Sequence, residues 1–122
     1  GRAVVELVEE LGTAVRLPEA QIDVGMGLMS NAPAYMALVA EAQIDAGVRA
    51  GLPVHVAQEL VVRTMGGTAA LLAHKDFDTL AVRREVTSPG GSTARGLDAL
   101  ERAGLRTAFS DALDAVLQKD RR

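Results

Sequence analysis

The chain has no cysteine and no tryptophan, and aromatic residues make up 2% of its 122 positions. Without thiols, neither a disulfide framework nor a thiolate metal site can form, a composition that fits a reducing compartment and the cytoplasm. The formal net charge of -3 is of mixed sign. With no basic stripe and almost no rings on which bases could stack, nucleic acid is not an expected partner. No apolar run is long enough to span a bilayer, so no membrane partner is expected. Gly1-Arg2-Ala3 does not open a secretory signal, because Glu6, Glu9 and Glu10 follow too soon. The two histidines, His55 and His74, stand apart with no carboxylate or second imidazole at ligand spacing. They read as surface residues, and no metal is expected. What the chain does have is alanine, valine and leucine in a length that suits one domain and one core. Such small side chains suit closely packed helices.

Val4, Leu7, Val8 and Leu11 share one face of a helix over residues 3–11, with Gly12 as its stop. Residues 13–17 read as a short extended segment ended by Pro18. A lone strand cannot satisfy its own backbone groups. A helix and single strand opening an otherwise helical chain therefore look like the tail of a preceding α/β unit. Residues 18–32 include a turn-rich piece from Val24 to Ala32. Gly25 and Gly27 lie in it, but the third glycine and the preceding strand of a dinucleotide loop are missing.

Pro33 suits the first turn of a long helix running to about Ala50, with Asn31 or Ala32 near its cap. Glu41, Asp45 and Arg49 recur every fourth residue and form one narrow polar stripe. Tyr35, Met36, Leu38, Val39, Ala42, Ile44, Ala46 and Val48 occupy the rest of the circumference, which must be buried on nearly all sides. An obligate dimer would do this; a central position in a monomeric bundle is the other way. Gly51-Leu52-Pro53 ends that helix and opens another from Val54 to about His74. Gly66-Gly67 sits inside it, where another backbone approaching closely, or a mild bend, would compensate for weak helix propensity. A short helix over 76–85 is capped by Asp78. Helices ending at Gly104 and running from Leu105 to about Leu117 follow, with pairs expected between Glu59 and Arg63 and between Asp98 and Arg102. Lys119-Asp120-Arg121-Arg122 is a frayed end.

Val86-Thr-Ser-Pro-Gly-Gly-Ser-Thr93 is the stretch with the most chemistry. Pro89 fixes its own φ, and Gly90 and Gly91 let the backbone turn and lie close to a ligand. Ser92 and Thr93 are good N-cap types for the helix that follows. A helix start has unpaired N–H groups and the positive end of the dipole, both favourable to a carboxylate or phosphate. A plain capped turn between two helices is the competing reading.

Three segments together resemble the C-terminal dimerisation domain of pyrroline-5-carboxylate reductase. They are Asn31-Ala-Pro-Ala-Tyr35, Glu41-Ala-Gln-Ile-Asp-Ala-Gly-Val-Arg-Ala-Gly-Leu-Pro53, and Val86-Thr-Ser-Pro-Gly-Gly-Ser-Thr93. Leu100-Glu-Arg-Ala-Gly-Leu-Arg106 fits the same pattern. The resemblance implies an all-α helical bundle that interlocks as a homodimer or higher oligomer. It also implies that residues 1–23 are the remnant, a helix and a short strand, of an N-terminal Rossmann-type nucleotide-binding domain, and that 24–122 form the dimerisation and substrate-binding domain.

The implied function is the C-terminal part of an NAD(P)H-dependent reductase that converts 1-pyrroline-5-carboxylate to proline, a small-molecule substrate. NADPH or NADH would be held mainly by the missing domain, and the fragment alone would be inactive. The resemblance places substrate against Val86, Ser88, Gly90, Gly91, Ser92 and Thr93, with the Thr93 hydroxyl orienting the imine. Tyr35 is either core or pocket edge. The family usually has Ser-Gly-Ser-Gly-Pro-Ala-Tyr where this chain has Met29-Ser30-Asn31-Ala32-Pro33-Ala34-Tyr35. That segment faces the cofactor, so Asn31 and Pro33 are the candidate contacts there. The altered residues leave a reductase of another imino or keto acid as an alternative, beside a helical dimerisation module without catalysis.

Overall fold

The computed structural model describes residues 4–8, 14–89 and 91–118. Two strands, β1 (Val4–Val8) and β2 (Ala14–Pro18), open the chain as an antiparallel pair, with Val4 opposite Pro18 and Val8 opposite Ala14. The extended segment is where the sequence places it. The helix expected over 3–11 is not: residues 4–8 are strand. Val4, Val5 and Val8 are β-branched and favour a pleated backbone, and pairing supplies β2 with the partners that a lone strand lacks. A hairpin therefore stands in place of the expected helix-and-strand remnant. The rest of that predicted helix, with its stop at Gly12, lies outside the described residues, as does the end expected to fray at 119–122.

A single 3-10 turn, Glu19–Gln21, leads into α1 (Ile22–Met29), which lies beside the hairpin. This corrects the turn-rich reading of 24–32, most of which is helical. Gly27 is buried, and a Cβ on it would come within 2.6 Å of Leu113 Cδ1. The glycine serves close packing against the last helix and not a turn.

Five further helices follow and make the architecture all-α apart from the hairpin: α2 (Ala32–Arg49), α3 (Val54–His74), α4 (Thr79–Glu85), α5 (Ser92–Arg102) and α6 (Leu105–Val116). Their ends follow from local chemistry. Gly51, at φ +115°, and Gly104, at φ +87°, occupy backbone conformations that L side chains disfavour, and each stops a helix. Beyond Gly51, the Leu52 amide donates to the Gly47 carbonyl at 3.0 Å. Pro53 opens α3, its carbonyl accepting from Val56 and Ala57. At the far end of α3, the Phe77 amide returns to the Leu72 carbonyl at 2.8 Å, a Schellman-like closure. Asp78 then caps α4 by accepting from the Ala81 amide at 3.0 Å. The expected i,i+4 pairs are both present, Glu59–Arg63 at 2.9 Å and Asp98–Arg102 at 3.0 Å. Lys75 and Glu85 add a bridge at 3.6 Å between the end of α3 and α4.

The chain divides into two compact units, residues 1–37 with 106–122, and residues 38–105. In the first, α1 and α6 meet at Gly27 and Leu113. In the second, α2 and α3 come together near their junction, where a Cβ on Gly47 would lie 3.5 Å from Leu52 Cδ1 and 3.6 Å from Ala57 Cβ. Among the described residues the buried hydrophobic side chains are few: Ala40, Ala57 and Val82. The near-complete enclosure expected of the long helix is not met within this chain. On α2 Ala40 is buried, while Leu38 is 63% exposed and Met36 42%. On α3 Leu60 and Val62 are each 56% exposed. A Cβ on Gly66 or Gly67 would meet nothing within 4 Å, so the close backbone approach expected there does not come from this chain. Apolar helices of this length left bare to water are under-packed as a single copy.

Candidate functional site

Residues 86–93 connect α4 to α5, and their geometry follows from the two helix ends. Val86 ends α4 at φ −105°, ψ 10°, with its amide on the Val82 carbonyl, and its side chain is 57% exposed. Thr87 is half-buried; its amide donates to the Arg84 carbonyl and its hydroxyl to the Arg83 carbonyl. Pro89 carries the chain round the turn, and the Gly91 amide closes it on the Ser88 carbonyl at 3.0 Å. A Cβ on Gly91 would lie 3.2 Å from that carbonyl oxygen and 3.4 Å from Ser88 Cβ. The backbone of Gly91, φ −79° and ψ 174°, is ordinary extended geometry. The glycine is there for the close approach and not for an unusual dihedral angle.

Gly91 is also the N-cap of α5, so Ser92 and Thr93 stand in the first turn of the helix and not at its cap as their residue types predict. The consequence is chemical. Glycine has no side chain to accept from the first amides. The first intrahelical bond runs from the Arg95 amide to the Gly91 carbonyl at 3.3 Å. Among the described residues, none accepts from the amides of Ser92, Thr93 or Ala94. Nor does any bond the hydroxyls of Ser88, Ser92 or Thr93, and all three residues are exposed. Bare amides at the positive end of a helix, with hydroxyls alongside, suit a small anion.

The structure thus brings Val86, Ser88, Gly91, Ser92 and Thr93 into one short loop and helix start. Gly90 lies outside the described residues. Asn31 and Pro33 belong to the other compact unit, at the start of α2, where the Asn31 carbonyl accepts from the Ala34 amide at 3.2 Å. Asn31 is exposed and Tyr35 half-buried. Gly25 and Gly27 are helical and do not form a glycine-rich turn. The described residues contain no group of three or more His, Asp or Glu placed to hold a metal ion, and no helix long and apolar enough to cross a membrane. Thr87 is a member of the loop that residue types alone do not single out. Its signal lies in its position: a threonine just past a helix end can return its hydroxyl to a carbonyl four residues earlier.

The class so defined is an all-α domain whose long apolar helices are bare as a single copy and whose α5 begins with open amides. The model of the pyrroline-5-carboxylate reductase dimerisation family matches residues 19–122. Pyrroline-5-carboxylate reductase from Synechocystis is 39% identical over 109 residues, covering 89% of this chain and 41% of the relative. That from Thermus thermophilus is 40% identical over 113 residues, covering 93% and 42%. Among solved structures, 1-pyrroline-5-carboxylate reductase from Streptococcus pyogenes superposes with a TM-score of 0.80 at 34% identity, covering 84% of this chain and 39% of that one. The Plasmodium falciparum pyrroline carboxylate reductase with NADP bound superposes at 0.79 and 30% identity, covering 84% and 40%. The chain belongs to the pyrroline-5-carboxylate reductase dimerisation family. It spans about two-fifths of the length of the relatives it matches.

Proposed function

We propose that this chain is the association and substrate-binding part of a cytoplasmic NAD(P)H-dependent reductase that converts 1-pyrroline-5-carboxylate to proline. In this reading residues 24–122 form the domain that pairs two copies, and residues 1–23 connect it to a nucleotide-binding domain. The observation that supports it is the α5 start, where Gly91 caps the helix without a side chain and the Ser92 and Thr93 amides are left open. A carboxylate placed there accepts from those amides and from the Ser92 hydroxyl, each a charge-assisted hydrogen bond. Val86, exposed and apolar, offers a surface for the ring. The Thr93 hydroxyl is free to hydrogen-bond the ring nitrogen and so set which face of the imine is presented.

The reaction adds hydride to the imine carbon and leaves the ring nitrogen with a proton. The dinucleotide supplies the hydride when bound. Asn31, just before α2, and Pro33, in its first turn, are the contacts proposed for it within this chain. A pyrroline nitrogen is readily protonated, so orientation by these residues carries much of what the chain contributes. The apolar faces of α2 and α3 fit a homodimer; their aliphatic side chains are about half exposed, so covering each gains roughly half of the ~1.5–3 kcal/mol of a full burial.

The test is turnover by the full-length protein. Oxidation of NADPH or NADH that depends on 1-pyrroline-5-carboxylate and yields proline is the expected result. Turnover of a different imino or keto acid in its place would favour the alternative that Asn31 and Ala32 raise. Hydride transfer by the isolated 122-residue chain would contradict the division of labour.

A further inference from the structure

The α5 amides can hold an anion only if the loop before them is held still, and one side chain outside the predicted set does this. Thr87 is half-buried between α4 and the turn. Its amide donates to the Arg84 carbonyl at 3.3 Å, and its hydroxyl donates to the Arg83 carbonyl. Both acceptors belong to the last turn of α4, whose carbonyls have no intrahelical partner of their own. With two bonds to one helix end, Thr87 has little freedom to swing. The next residue, Ser88, supplies the carbonyl that the Gly91 amide binds and the atoms on which Gly91 rests. Gly91 is in turn the cap of α5. An unbroken chain of contacts therefore runs from the end of α4, through the Thr87 hydroxyl, to the direction of the first α5 amides.

We propose that Thr87 is a positioning residue: its hydroxyl bond to the Arg83 carbonyl fixes the Ser88–Gly91 turn and so aims the Ser92 and Thr93 amides at the substrate carboxylate. The proposal rests on the function proposed above for what binds there, while the bond and the turn are independent of it. Val in place of Thr keeps the branched shape and removes the donor; Ser keeps the donor.

In the full-length enzyme, Thr87→Val lowers kcat/KM for 1-pyrroline-5-carboxylate roughly tenfold through the loosened placement of substrate. The KM for the dinucleotide stays at the wild-type value, and Thr87→Ser restores the wild-type kcat/KM. Amide hydrogen exchange supplies a readout without turnover: in Thr87→Val the Gly91 amide exchanges faster while the α3 amides do not change. A Thr87→Val enzyme with unchanged kcat/KM, a Thr87→Ser enzyme as impaired as Thr87→Val, or unchanged exchange at Gly91 overturns the proposal. If the wild-type enzyme does not reduce 1-pyrroline-5-carboxylate, the proposed function fails, and the exchange measurement still decides the role of Thr87.

Discussion

At the scale of single residues, the proposed site depends on where hydroxyls and amides are left unused. Thr93 is the clearest case. It stands in the first turn of α5, exposed, with its hydroxyl engaged by no described residue. In the proposed full-length reductase, Thr93→Val keeps the shape and removes the hydrogen bond proposed above between its hydroxyl and the ring nitrogen. A bond to a charged partner is worth about 1.5–3 kcal/mol, so kcat/KM for the imino acid falls between about tenfold and a hundredfold. Steady-state kinetics with saturating dinucleotide measures it, and a value within about twofold of wild type removes Thr93 from the site. Much of this is legible in the Pro-Gly-Gly-Ser-Thr spelling, which announces a turn feeding a helix. The identity of the capping residue is not. Ser92 and Thr93 are better N-caps by type, yet Gly91 takes the position because the turn closes through its own amide on Ser88. Nothing in residue preference reports which amide closes a turn.

At the scale of elements, helix ends are fixed by local devices whose loss has a predictable size. Gly51 sits at φ +115°, and a Cβ added to it would meet nothing within 4 Å, so the cost of Gly51→Ala is that of its backbone alone. Thermal unfolding should show about 1–2 kcal/mol of destabilisation. Asp78→Ala removes the acceptor from the Ala81 amide and costs about 1 kcal/mol by the same measurement. No change in either variant would mean that these ends are set by packing. Periodicity and capping signals locate α2 to α6 closely, because 3.6-residue spacing and Pro, Gly and Asp punctuation are local properties. The stretch before α2 is less legible for a physical reason. Val4, Leu7 and Val8 fit a helical face, but they fit a strand as well, and β2 supplies the partner that decides it. Gly25 and Gly27 have the look of turn formers, whereas Gly27 makes room for Leu113 in a helix. The first outcome depends on pairing across a hairpin, the second on a contact distant in sequence.

At the scale of the whole molecule, the decisive feature is apolar surface without cover. The residue pattern of α2 requires enclosure, and the single chain leaves Leu38 63% exposed. In a lone copy Leu38→Glu is a surface change worth less than about 0.5 kcal/mol. In a pair that covers α2 it buries an uncompensated charge, which costs about 3–5 kcal/mol. The account predicts that Leu38→Glu abolishes association and sharply lowers thermal stability, both measured on the same sample. A variant that behaves as wild type places α2 outside the interface.

The central claim is that these helices are covered by a second copy, and sedimentation equilibrium of the wild-type chain at micromolar concentration tests it most directly. The account predicts a mass of at least twice 12.8 kDa, with no folded species of single mass. A stable, folded species of 12.8 kDa across that concentration range would contradict it.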